Sequence, residues 1–172
     1  MKKKLFFSLL IFLVLGYASL SKAYCQTLTP EEARKIAIKA DQAEIYLYNL
    51  GTDNSFEYNG YLYAFLPDSV STAEKLQSYL HPIFTETKTE NLVRSLELIT
   101  RDGKLAKVST GFGTLERWED ASISPLTTNN KNEQIYLFQV PFGEEQDYTK
   151  YKIVFQYQKK YGWRISSKET TQ

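Results

Sequence analysis

One thiol and one imidazole are all this chain offers for nucleophilic chemistry. Cys25 and His81 are the only Cys and His among its 172 residues. A cysteine nucleophile needs a nearby base, and Cys25 falls in what reads as an N-terminal tail. His81 directly precedes Pro82, a position biased away from helix. Its preferred reading is a helix-end residue that helps satisfy carbonyls. One His and one Cys make no zinc site of the usual spacing. The chain carries no P-loop, dinucleotide fingerprint or Gly-x-Ser-x-Gly elbow. Glu144, Glu145 and Asp147 read as a solvated turn rather than a calcium loop. Glu116, Glu119 and Asp120 could serve a glycosidase-type acid–base pair, but nothing separates them from a capping and solvation role. The chain is therefore read as a non-enzyme with no metal and no cofactor.

The stretch that could carry a function of another kind is Arg101–Asp120. It opens on a turn dipeptide, Asp102-Gly103. At its middle Gly111 and Gly113 relax the backbone on both sides of Phe112. Trp118, near its end, is large enough to pin it onto a core. Loops held on a rigid scaffold carry much of protein function.

Helices precede this stretch and strands follow it. Thr29 is placed to cap a first helix, with Pro30 at its first position and Glu32 completing a capping box. Ile36, Ala40, Ala43 and Leu47 make its apolar stripe, and Gly51 closes it. Asn59-Gly60 sits between aromatic β-prone flanks and predicts a hairpin over Phe56–Phe65. Ser71 and Glu74 form a second capping box for a helix ended by Pro82. A third helix is expected over about Glu86–Leu98. Strands are expected over Ala121–Leu126, Gln134–Val140, Tyr148–Gln158 and Trp163–Ser166, with Lys168–Gln172 frayed. This order predicts an α+β fold: N-terminal helices packed on a curved antiparallel sheet, in one domain.

The first residues read as a targeting signal. Lys2, Lys3 and Lys4 precede the apolar run Leu5–Leu20, and Ser21-Lys22-Ala23 supplies small residues before a cleavage point. An uncleaved anchor is the alternative. Lipidation at Cys25 is disfavoured by Lys22-Ala23-Tyr24 before it. Residues 1–23 are read as the signal and 24–172 as a single domain of 149 residues, long enough to bury about 68–70% of its unfolded surface. The expectation is a secreted or cell-envelope protein, monomeric, with no stable membrane association after cleavage. Cleavage removes four lysines and leaves 17 Lys and Arg against 20 acids. That argues against nucleic acid, which calls for a basic surplus. The many tyrosines suit either a sheet packing on helices or an interface.

Several segments, taken in order, resemble the IseA-type inhibitors of bacterial DL-endopeptidases. They are the helix from Pro30, the hairpin Tyr58-Asn59-Gly60-Tyr61-Leu62-Tyr63, the Thr72–Tyr79 helix, Arg101–Ala106, the loop ending in Trp118, and Gly162-Trp163-Arg164-Ile165. The resemblance implies an exported inhibitor of NlpC/P60 cysteine peptidases, enzymes that cut peptidoglycan stem peptides during growth and cell separation. It also implies a mobile loop, about Val108–Leu115 here, that enters the peptidase cleft. The partner-binding residues it points to are Asp102, Gly103, Ser109, Thr110, Gly111, Phe112, Gly113, Thr114, Glu116 and Glu119. The family loop alternates glycines with aspartates. This chain keeps Gly111 and Gly113 but has Phe112 and Thr114 where the acids would stand. Such a tip loses charge steering and offers an aromatic anchor instead. The competing reading is a non-catalytic envelope binding module, cone-like in the manner of nuclear transport factor 2-like domains, holding a ligand in a pocket lined by Tyr and Trp.

Overall fold

The computed structural model describes residues 27–49, 54–108, 115–128, 130–143 and 147–171. Helix α1 spans Pro30–Asn49. Its capping box forms as the sequence predicts: the Thr29 N–H donates to Glu32 Oε2 at 2.8 Å, and the Glu32 N–H donates to Thr29 Oγ1 at 3.2 Å. These bonds satisfy two of the amides that every helix start leaves open. The buried stripe is Ala33, Ala37, Ala40, Ala43 and Leu47, while Ile36 is only half-buried. Small residues let the helix axis approach the strands closely, so alanines take the inner line and Ile36 moves to its flank.

A hairpin follows, β1 (Ser55–Tyr58) and β2 (Tyr61–Phe65). Its two-residue turn has Asn59 at φ 51° and Gly60 at φ 80°, the left-handed pair that matches strand twist. Helix α2 covers Ala73–Leu80. Its cap is Thr72, whose Oγ1 accepts from the Lys75 N–H at 3.4 Å, and not the expected Ser71. Ser71 is buried and turns its hydroxyl to the Asp68 carbonyl. Helix α3 spans Glu86–Ser95 and stops short of the expected Leu98. Glu97 adopts φ 49°, a left-handed conformation that ends the helix and turns the chain into β3.

The strands β3 (Ile99–Arg101) and β4 (Lys104–Val108) form a second tight hairpin across Asp102 (φ 51°) and Gly103 (φ 73°). The first part of the Arg101–Asp120 stretch is thus sheet rather than loop. One antiparallel sheet has the order β1-β2-β4-β3. Buried Lys107 ties it to α1 by donating from Nζ to the Tyr48 carbonyl.

A single 3-10 turn, Trp118–Asp120, leads to the main sheet. That sheet runs β5 (Ser122–Leu126), β6 (Glu133–Pro141), β7 (Tyr148–Gln158), β8 (Gly162–Thr171), all antiparallel and in chain order. Strand β8 continues through Lys168–Thr171, paired with Lys150–Ile153, so this end is not frayed. The architecture is α+β, with two sheets where one was expected. The inner face of the main sheet (Tyr136, Phe138, Val140, Ile153, Phe155, Ile165) is buried, and α1 packs against β5, β8 and the 3-10 turn. Phe84 bridges to Ile165, and the Thr85 N–H donates to the Ile165 carbonyl at 2.9 Å, docking the α2–α3 corner on β8.

Candidate functional site

The chain passes from the smaller sheet to the larger between Val108 and Trp118, and its two stems are fixed by different means. On the near side Val108 pairs with Tyr63 as the last residue of β4. On the far side Glu116 bridges Phe142, the Arg117 N–H donates to the Pro141 carbonyl at 2.9 Å, and the Gly143 N–H donates to the Leu115 carbonyl at 3.1 Å. The Arg117 guanidinium adds a bond to the Gly143 carbonyl and an ion pair with Asp120 at 3.1 Å. Trp118 is 2% exposed. Its ring lies 5.0 Å from Tyr151 and 5.9 Å from Phe138, centroid to centroid. The expected pin is present, and it is driven by removing a large apolar ring from water.

Beneath this pin lies a set of charged groups drawn from four parts of the chain. Tyr151 donates its hydroxyl proton to Glu116. Glu44 and Lys168 form an ion pair, each side chain only 16% exposed. The Lys168 ammonium stands 5.3 Å from the Trp118 ring and 5.6 Å from the Tyr151 ring, within cation–π range. Burial pushes the Asp41 carboxyl up to about 6, helped by the negative charges of Glu116 and Glu44; Lys168 and the Trp118 indole N–H oppose the shift. Trp118 Nε1 is buried without a well-formed hydrogen bond, so its pull on Asp41 is weak. Burial first, and then Glu116, also raises the Tyr151 hydroxyl. Three carboxylates around one ammonium make a network that holds a stem.

The predicted site residues divide into three groups. Glu116 lies in this network, and Glu119 sits exposed on the 3-10 turn with its carbonyl accepting from Arg34 at 2.8 Å. Asp102 and Gly103 lie at the opposite end of β4 from Val108, about 16 Å away for Gly103 at the usual rise per residue. Ser109, Thr110, Gly111, Phe112, Gly113 and Thr114 lie outside the described residues, as do Cys25 and residues 1–23. Asp41, Glu44, Tyr151 and Lys168 escaped the sequence reading. A signal for two of them was present, since Asp41 and Glu44 flank the buried Ala40 and Ala43 on α1.

His81 ends α2, with its N–H donating to the Gln77 carbonyl at 2.9 Å and its own carbonyl accepting from buried Arg164 at 2.8 Å. Among the described residues no group of three or more His, Cys, Asp and Glu is placed to hold a metal ion, and no helix is long and apolar enough to cross a membrane. A groove of about 880 Å³ runs between Leu28–Pro30 and the β5–β6 turn. Its lining includes Tyr136 but neither tryptophan. The region between α1 and the main sheet is filled by Trp118, Phe138, Tyr151 and Phe155.

Comparison with known proteins adds two findings. Residues 24–170 match the family model described as IseA DL-endopeptidase inhibitor. The chain is also 30% identical over 113 residues to the uncharacterized protein YoeB of Bacillus subtilis (strain 168). That alignment takes in 65% of this chain and spans 61% of the length of the relative.

Proposed function

Because the chain belongs to the IseA DL-endopeptidase inhibitor family, we propose that it is an exported inhibitor of NlpC/P60-class peptidoglycan endopeptidases whose residues 109–114 enter the peptidase cleft. The family name carries the inhibitor of DL-endopeptidases and implies a protein partner. The choice of segment rests on one observation, the unequal but firm anchoring of its two stems. Val108 is held by a strand ladder and Trp118 by a core. A segment fixed at both ends loses less conformational entropy on docking than a free one. Gly111 and Gly113 allow it to fit a narrow cleft, and Phe112 supplies an anchor where family members carry acids.

Binding of this kind is non-catalytic, in agreement with a family defined by inhibition. It would moderate peptidoglycan hydrolysis and cell separation from outside the membrane, with the protein acting as a monomer after its signal is cleaved. The test is the rate at which a purified NlpC/P60 endopeptidase digests peptidoglycan. Wild type should slow digestion, and Gly111→Pro combined with Gly113→Pro should relieve the inhibition. Full inhibition by the double variant sinks the loop assignment. No inhibition by wild type across several such enzymes sinks the function.

A further inference from the structure

The smaller sheet exposes aromatic side chains on one face of its first hairpin. Opposed residues of an antiparallel pair share a face, and side chains alternate along a strand. The pairings Phe56↔Tyr63 and Tyr58↔Tyr61 therefore place Phe56, Tyr58, Tyr61, Tyr63 and Phe65 together. Four of these rings touch: Phe56 stacks on Tyr63 at 5.9 Å and tilts against Phe65 at 5.0 Å, and Tyr58 meets Tyr63 edge-on at 6.0 Å. The Arg101 guanidinium lies 4.2 Å from the Phe56 ring centre. The reverse face holds buried Ala64 and Lys107, with Leu62 exposed beside the turn, and on the aromatic face Ala106, opposite Phe65, is buried. On the outer face Tyr61 is 61% and Tyr58 49% exposed.

Two points favour the endopeptidase as the occupant of this face. First, β4 runs antiparallel to β2 and leaves the sheet at Val108, opposite Tyr63 and heading toward the Tyr61 end. The near stem of the segment proposed to enter the peptidase cleft, Val108, thus stands on this face directly opposite Tyr63. Second, a protease–inhibitor interface of standard size buries about 800 Å² on each partner and uses roughly 20–30 residues a side. Six residues fall well short, so a stable complex needs flanking surface. Tyrosine and arginine are among the side chains that most often carry the energy of such surfaces, tyrosine because it buries much area with few rotors.

We propose that the outer face of the β1-β2-β4-β3 sheet is a second contact surface for the endopeptidase, with Tyr58 and Tyr61 as anchors. The proposal rests on the inhibitor reading above and adds affinity to it, while residues 109–114 block the cleft. The experiment measures inhibition constants toward a purified NlpC/P60 endopeptidase cleaving a soluble muropeptide. Tyr58→Ala with Tyr61→Ala should raise the constant about tenfold or more, through faster dissociation, with inhibition still complete at saturation. Tyr61→Ser alone, at the more exposed of the two rings, should give a smaller rise in the same direction. Leu126→Ala, an exposed apolar change on β5, should leave the constant unchanged. An unchanged constant in both tyrosine variants, with native melting temperature, overturns the proposal but not the inhibitor function. Loss of binding to insoluble peptidoglycan with undiminished inhibition of soluble substrate would also overturn it, since the face would then be a wall-binding surface. Wild type that inhibits nothing removes the function and this inference together.

Discussion

The Trp118 indole stacks on the Tyr151 ring, with centroids 5.0 Å apart and planes 29° from parallel. Through this contact the short turn that ends the passage between sheets is fastened to the middle of the main sheet. Tyr151 in turn donates to Glu116, two residues before the tryptophan, so one side chain of β7 holds the stem twice.

Removing the pin should cost stability and inhibition together. Trp118→Ala in a buried aromatic cluster should lower the free energy of unfolding by about 3–5 kcal/mol. Trp118→Phe, which keeps a ring, should cost less. Urea denaturation followed by circular dichroism measures both. A loss under 1 kcal/mol for the alanine variant would show that Trp118 does not anchor the stem.

Asp41 makes stability depend on pH with a defined sign. Its folded-state carboxyl titrates near 6, above the ordinary 3.8. The native fold therefore prefers the protonated form. Its contribution is most favourable below about pH 4, declines as pH rises toward 6, and is flat above that. The group is half-exposed, so screening reduces the effect to about 1 kcal/mol. Asp41→Asn mimics the protonated acid. It should match wild type at pH 4 and be more stable at pH 7.5. Equal melting temperatures for the two proteins at pH 7.5 would refute the assignment.

The Tyr151–Glu116 bond can be isolated by a double-mutant cycle. Hydrogen bonds to a charged group contribute about 1.5–3 kcal/mol. Tyr151→Phe and Glu116→Gln should each destabilise, and the double variant should lose less than their sum by roughly 1–2 kcal/mol. Strict additivity would mean that the two side chains do not cooperate.

Phe112 decides how the proposed tip works. If it fills an apolar subsite, Phe112→Asp should weaken endopeptidase inhibition at least about tenfold, with most of the change in the dissociation rate. If acids at the tip steer binding to a basic cleft, the same substitution should instead speed association and tighten inhibition. The first outcome is expected. Stopped-flow binding at two salt concentrations distinguishes them.

The proposed export signal predicts a processed chain. Mass spectrometry of protein from the culture medium or cell envelope should find an N-terminus at Tyr24. A chain retaining residues 1–23 would favour the membrane-anchor alternative.

Much of the fold was legible because its signals are local. Thr29 and Glu32 cap a helix through bonds spanning three residues, and Asn59-Gly60 sets a hairpin by its own backbone preference. The long alternating strands β6 and β7 declared themselves likewise. Short strands did not. Ile99–Arg101 and Lys104–Val108 are too brief to show a period, and their place in a sheet depends on Phe65 and Tyr63, some forty residues earlier. The choice of Thr72 over Ser71 as cap was equally hidden, since both have a hydroxyl and only the burial of Ser71 separates them.

The sequence by itself determined the α+β class and the family resemblance, both of which rest on residue types and their order. It also marked Trp118 as the end of the stretch, because its ring is large enough to pin that end onto a core. Only the tertiary structure decided that the strands form two sheets and that the stretch bridges them. Only it assembled Asp41, Glu44, Glu116, Tyr151 and Lys168 under one indole. The physical reason is distance along the chain: Glu44 and Lys168 stand 124 residues apart and meet only when both sides of the core have closed.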